Sequence, residues 1–225
     1  FDESVTQVFQ DMLARSIPGY VTMRDFAWNI IETTQTIEND KFLHCLTGLD
    51  LGASLGEASL PLIQAGGSVH MNEYSDAMRI ALKDRFSAQI ANGRVTIDGQ
   101  NLIDWQHTEF PRYDVVWMVL VLMFLPIECR LHVLKQVHSA LVDDGVFIYV
   151  EKTETFNNTL VAAYYNYKRQ NGYTQEQIDA KRESLRNVLT PISSNMHEEL
   201  LRWAGFTQVQ PFFQTLMFKG WVVRK

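Results

Sequence analysis

The chain has little that would hold a metal, cross a bilayer or grip a phosphate backbone. Its two cysteines, Cys45 and Cys129, lie far apart and lack metal-ligand spacing, so both are expected to be buried free thiols, one in a strand and one in a helix. The six histidines are scattered, and His132 and His138 miss the i, i+4 spacing of a helical zinc site. No apolar run approaches the ~20 residues of a membrane span and no signal peptide is visible, so the cytoplasm is the expected compartment. Acidic residues outnumber basic ones, 26 to 20, for a net charge of −6. That balance weighs against direct nucleic-acid binding, which needs a basic face. Base-modifying chemistry also lacks its motifs. No Asn/Asp-Pro-Pro-Tyr/Phe follows the fourth predicted strand, where Leu122-Met123-Phe124-Leu125 stands, and no Pro-Cys nucleophile occurs.

What is present begins with Asp50-Leu51-Gly52-Ala53-Ser54-Leu55-Gly56. An apolar run (Phe42, Leu43, Leu46) leads into it and an apolar-rich segment ending near Ile63 follows, the order strand, glycine turn, helix. A turn without Cβ atoms lets the backbone pass close under a ligand, and the helix start offers unpaired N–H groups. In a parallel α/β sheet this first turn is where nucleotide-like ligands sit. Asp50 at the strand end suits a cationic or hydroxyl-bearing part of such a ligand. The Gly-x-x-x-Gly spacing of Gly52 and Gly56 departs from the Gly-x-Gly-x-x-Gly of dinucleotide enzymes. S-adenosylmethionine (SAM) is therefore a better candidate than NAD.

Strands and helices then alternate to Lys152: a strand Gly67–Glu73, a helix from Ser75, short strand Val95–Asp98, an apolar strand Tyr113–Val121, and a helix from Pro126. That helix has an expected inner stripe of Ile127, Leu131, Leu134, Val137 and Leu141. Asp143-Asp144-Gly145 is read as the turn into a fifth strand, Val146–Val150. This order predicts a doubly wound, mostly parallel sheet. At 225 residues one domain is expected: a helical lid over 1–40, a nucleoside-binding core over 41–152, a helical insert over 153–190, and a closing helix with a β-hairpin over 191–225. In the insert, Thr174 and Gln177 form a capping box for a helix running to Leu189.

Further candidates fall at strand ends. Glu73 stands about twenty residues beyond the glycine turn, the distance of an acid that bonds ribose hydroxyls. Gln100 and Asn101 follow the third strand, where side-chain amides can read an adenine edge. In the insert helix, Arg182 falls four residues after Ile178 and three before Leu185, which predicts an inward-facing guanidinium paired with an internal acid or a ligand carboxylate. Neighbouring Lys168, Arg169, Lys181 and Arg186 read as solvated. Pro18-Gly19 makes a turn that aims Tyr20, which either closes a lid over the ligand or simply packs.

These residues resemble the carboxy-SAM synthases, a branch of the class I SAM-dependent methyltransferases. The similarity runs through Phe1-Asp2-Glu3, Ser16-Ile17-Pro18-Gly19-Tyr20, the Asp50–Gly56 turn, Ser75-x-Ala77-Met78, Phe124-Leu125 and Glu151-Lys152. It is densest in Lys168-Arg169-x-Asn171-Gly172-Tyr173, Lys181-Arg182, Asn187-Val188 and Ala204-Gly205-Phe206. The resemblance implies a Rossmann-like class I methyltransferase fold and an enzyme that makes carboxy-SAM from SAM and prephenate, for a partner enzyme modifying a wobble uridine in tRNA. It implies a SAM (or carboxy-SAM) site lined by Tyr20, Gly52, Ala53, Ser54, Glu73, Tyr74, Gln100, Asn101 and Val119, with Arg182 on the added carboxylate, in a homodimer. Ala53 stands where the family has cysteine, Glu73-Tyr74 where it has Asp-Asn, Gln100 where it has aspartate, and Val119 where it has asparagine. Three functions stay open: carboxy-SAM synthesis, methyl transfer to a small molecule, and a scaffold acting through protein contacts.

Overall fold

A computed structural model describes residues 11–106 and 111–225; Phe1-Asp2-Glu3 and His107 lie outside them. Seven strands form one sheet in the order β3-β2-β1-β4-β5-β7-β6: β1 (Thr47–Leu51), β2 (Ser68–Asn72), β3 (Val95–Asp98), β4 (Tyr113–Val119), β5 (Leu141–Lys152), β6 (Gln208–Thr215) and β7 (Phe218–Arg224). The first five run parallel, and β7 lies antiparallel between β5 and β6. Strand order reverses between β1 and β4, so a crevice opens at their carboxyl ends. The expected mostly parallel, doubly wound sheet with a closing hairpin is present.

The helices are α1 (Tyr20–Thr33), α2 (Leu60–Gln64), α3 (Asp76–Arg85), α4 (Ser87–Ala91), α5 (Ile127–Ala140), α6 (Asn158–Gln170), α7 (Gln175–Ser184) and α8 (Ser194–Trp203). Strand β4 explains the layering. Val115 and Trp117 point into one buried cluster with Met23, Ile31 and Leu62, while Val116 and Met118 point into another with Leu134, Val137 and Trp221. A strand covered on both faces has no polar side, hence its unbroken apolar run. Each such side chain contributes roughly 1.5–3 kcal/mol.

Several local expectations are corrected. Residues Leu43–Cys45 form a 3-10 turn, since sheet pairing starts only at Thr47 with Ser68. Phe42 and Cys45 are consequently exposed. Asp143-Asp144-Gly145 lies inside β5 as a bulge, where pairing shifts from Tyr113–Leu141 to Val115–Val146. Lys41 pins this bulge, its ammonium 2.9 Å from both Asp114 and Asp144. The inner face of α5 is Arg130, Val133, Leu134, Val137 and Ala140, with Ile127 left 58% exposed. Helix α7 stops at Ser184, and Asn187 in the turn beyond it takes a positive φ of 62°.

Candidate active site

The glycine turn is built under constraint. At Gly52 (φ +68°) a Cβ would lie 2.5 Å from the Val121 side chain, so only glycine fits between the turn and the loop after β4. Ser54 also adopts positive φ, 54°, a costly conformation for a non-glycine residue. Glu73 holds it there: one carboxylate oxygen accepts the Ser54 N–H at 2.8 Å and the other the Ser75 N–H at 2.7 Å. The acid is thereby fixed at the end of β2 with lone pairs to spare for hydroxyls. Asp50 is buried at the end of β1 and accepts the Ser59 hydroxyl at 2.7 Å. Burial pushes its carboxyl up to about 7; the Ser59 bond opposes that rise and Glu73 adds to it.

The floor is the loop after β4. Leu120 takes a positive φ of 61°, and the following backbone N–H groups of Val121, Leu122 and Met123 all donate to the Glu151 carboxylate, at 3.0, 2.6 and 3.2 Å. Burial raises Glu151 to about 7, against the pull of these three donors and of Arg130. Arg130 is itself fully buried and donates to the Leu125 carbonyl (3.0 Å) and the Thr190 carbonyl (2.7 Å). It thus ties the floor to the end of the insert, and the Thr190 N–H donates to the Met123 carbonyl at 2.9 Å.

The far wall is basic. Lys152, Lys168 and Lys181 all line one cavity with Tyr164 and Tyr173. Among the described residues none of the three has an ion pair with a carboxylate. The Lys152 and Lys168 ammonium groups lie 5.3 and 5.4 Å from the centre of the Tyr164 ring, and Lys168 lies 5.3 Å from that of Tyr173. Burial lowers the pKa of Lys152 and Lys168, and for Lys168 the charges of Lys152 and Lys181 lower it further. Three ammonium groups brought together without counterions form a site that attracts an anion.

The cavity enclosed by these walls has a volume of about 1060 Å³, at the top of the range for small-molecule sites. It takes in Tyr20, Asp50, Gly52, Ala53, Ser54, Glu73, Tyr74, Asn101 and Val119. Tyr74 stands at the rim, 68% exposed. The amide oxygen of Asn101 accepts the Ile103 N–H at 3.1 Å, leaving its amide nitrogen for a base edge. Three expected residues do not line it. Gly56 (φ +76°) turns the backbone against Phe86, which a Cβ would meet at 2.6 Å. Gln100 is exposed, and its carbonyl accepts the Asn72 amide at 2.9 Å. Arg182 is exposed too, because the inward face of α7 runs through Ile178 and Lys181 and on to Leu185 just beyond it. Lys168 and Lys181, read from the sequence as solvated, are the groups that enter the cavity; Lys168 is only 7% exposed. A lysine four residues after Tyr164, on the aromatic face of α6, was the available signal.

A crevice at the switch point, a Cβ-free cradle under it and an acid at the end of β2 define a class I methyltransferase fold, and comparisons with known proteins agree. Residues 49–147 match a family model described as a methyltransferase domain. The fold is similar to that of magnesium protoporphyrin IX methyltransferase from Synechocystis with bound SAH (TM-score 0.60, 17% identity, 91% of this chain and 84% of that one). It is also similar to an O-methyltransferase family protein from Burkholderia thailandensis (TM-score 0.60, 15% identity, 90% and 57%). In sequence the chain is similar to carboxy-S-adenosyl-L-methionine synthases: 32% identity to that of Psychrobacter arcticus, over all of this chain and 88% of that protein. Identity to the Pseudomonas putida GB-1 enzyme is 33%, over 97% and 89%. The chain belongs to the carboxy-S-adenosyl-L-methionine synthase family and is a SAM-dependent transferase. The residues present fit that ligand: the Gly52 cradle leaves room for its backbone approach, Glu73 offers acceptors at ribose position, and the acid-lined half suits a sulfonium cation.

Proposed function

We propose that the chain carries out carboxy-SAM synthesis, joining a carboxylate carbon from a small anionic donor to the sulfonium methyl of SAM. The observation that carries this reading is the cluster of Lys152, Lys168 and Lys181 facing the cavity without carboxylate partners. Transfer to a neutral methyl acceptor gives such a cluster no task, whereas a donor that bears carboxylates would give the ammonium groups their counterions. The two ligands would be held together in one cavity, and that proximity would supply much of the catalysis. SAM would supply a sulfonium that acidifies its methyl C–H. The methyl would lose a proton and its carbon would take up the CO2 set free as the donor's ring–carboxylate C–C bond breaks, while the donor's ring hydroxyl leaves with that proton as water and the aromatised keto acid departs. Tyr20, Asp50, Gly52, Ala53, Ser54, Glu73, Tyr74, Asn101 and Val119 would bind it. Prephenate, the family donor, fits the charge of the basic wall.

Arg182 keeps a role only through a second copy. Within one chain it points to solvent, so the homodimer implied by the family would have to bring it over the partner's cavity mouth. The cytoplasm is the proposed compartment, and direct nucleic-acid contact is no part of the reading.

One observation favours a second reading, methyl transfer to a small molecule. Val119 gives the floor an apolar side chain where the family has asparagine, which removes a polar contact to the ligand. Mass spectrometry of the small molecule that co-purifies with the protein decides between them: carboxy-SAM supports the first, SAM with no carboxylated product on addition of prephenate supports the second.

A further inference from the structure

The sheet order lays out where each part of a bound sulfonium nucleoside must go. The base lies beyond β3 at Asn101 and the ribose at Glu73 after β2, so the amino-acid end extends over β1 toward α1. The first two turns of α1 offer one cation there. Arg24 lines the cavity together with Tyr20 and Asp50. Its guanidinium stands 5.8 Å from the centre of the Tyr20 ring, with one Nη 3.0 Å from Glu57. Glu57 also pairs with Arg85, which donates in addition to the Leu55 carbonyl at 2.6 Å. One carboxylate is therefore shared between two guanidinium groups. The Nε of Arg24 is buried and makes no hydrogen bond, an arrangement that carries a cost unless an acceptor arrives.

We propose that Arg24 is the binding residue for the α-carboxylate of the amino-acid portion of SAM, a forked contact from α1 that anchors the end of the ligand opposite its base. Asp50 lies at the same end, so the zwitterionic head group meets one acid and one base across the Tyr20 ring. The field at the Tyr20 hydroxyl agrees with this: burial pushes it up to about 12, while Arg24 pulls down and Glu57 and Asp50 push up. The lysines cannot take this role, because they cluster at the other end of the cavity, about the end of β5 and the insert helices α6 and α7. The inference rests on SAM being the ligand.

Calorimetry with two ligands tests it, using SAM and decarboxylated SAM, which keeps the sulfonium nucleoside and lacks the α-carboxylate. Titrations are made into the unaltered chain, Arg24→Gln and Arg24→Lys, with melting temperatures confirming that each variant is folded. Arg24→Gln is expected to weaken SAM about 10- to 100-fold while leaving decarboxylated SAM within about twofold. Arg24→Lys, with a point charge in place of the fork, is expected to fall between. Equal losses for both ligands, or no loss for either, would overturn the assignment of Arg24 while SAM dependence stands. If the unaltered chain binds neither ligand, the functional reading fails and takes this inference with it.

Discussion

The two halves of the cavity are built by different parts of the chain and carry opposite charge. Over β1 and β2 the lining is acidic, with Asp50 and Glu73 each locked by short hydrogen bonds to nearby Ser59, Ser54 and Ser75. Over β5 and the insert it is basic, with Lys152 and Lys168 held over tyrosine rings and Lys181 lining the same wall. Locked acids are prepared for the same cationic ligand every time. Lysines on aromatic faces can shift to follow the shape of an anion. On the proposed function, the first half would bind SAM and the second would select the anionic donor.

The strongest break of this contrast is Lys168→Met. Losing the most buried of the three lysines should weaken the anionic donor by about 100-fold, near 3 kcal/mol, and leave SAM affinity within about twofold. Paired calorimetric titrations would check it, and equal losses for both ligands would erase the division. Gly52→Ala attacks the other half. Positive φ and the contact with Val121 should cost about 2 kcal/mol, read as a lower melting temperature and roughly tenfold weaker SAM binding.

Acidity sharpens the comparison further. Glu151 and Asp50 hold protons up to about pH 7 in the folded chain, whereas the unfolded chain releases them near pH 4. The native state binds more protons in that window, so this stabilisation is full below about pH 4 and is lost as pH rises to 7, by on the order of 3 kcal/mol for Glu151. Chemical denaturation between pH 5 and 8 would measure the slope, and Glu151→Gln should flatten it. Lys152 and Lys168 respond with their own sign: their lowered pKa means that donor affinity falls as pH rises, with protons taken up on binding. The smallest effect is expected for Arg182→Ala, which should leave SAM affinity within about twofold because the residue is exposed in its own chain and, in the proposed dimer, would meet only the added carboxylate that SAM lacks.

The glycine turn, the alternation of strands and helices and the acids at strand ends were legible because each rests on local spacing and on where parallel strands end. The basic wall was not, and α7 shows why. In sequence its apolar stripe reads Ile178, Leu185 and Leu189, and both Lys181 and Arg182 satisfy helical spacing between the first two. Choosing arginine followed the chemistry of carboxylate recognition; the actual phase of α7 turns Lys181 into the cavity and leaves Arg182 exposed. Arg130 was hidden for a similar reason. A charged residue on the inner face of α5 makes sense only once the Leu125 and Thr190 carbonyls, distant in sequence, are brought to it. Lys168 shows the cost of treating charge as surface when its stem is sheathed in tyrosine.

At the end of β5, Glu151 and Lys152 point to opposite sides of the sheet, the acid gripping the loop beneath and the ammonium entering the chamber above. Because side chains alternate with a period of two, a slip of the strand by one position would send the lysine toward three N–H donors and the carboxylate toward the face of the Tyr164 ring. The first swap leaves a buried cation facing only positive dipoles. The same two residues that equip the chamber therefore penalise misaligned pairing, so the chemistry of the pocket and the fidelity of folding are written in one dipeptide.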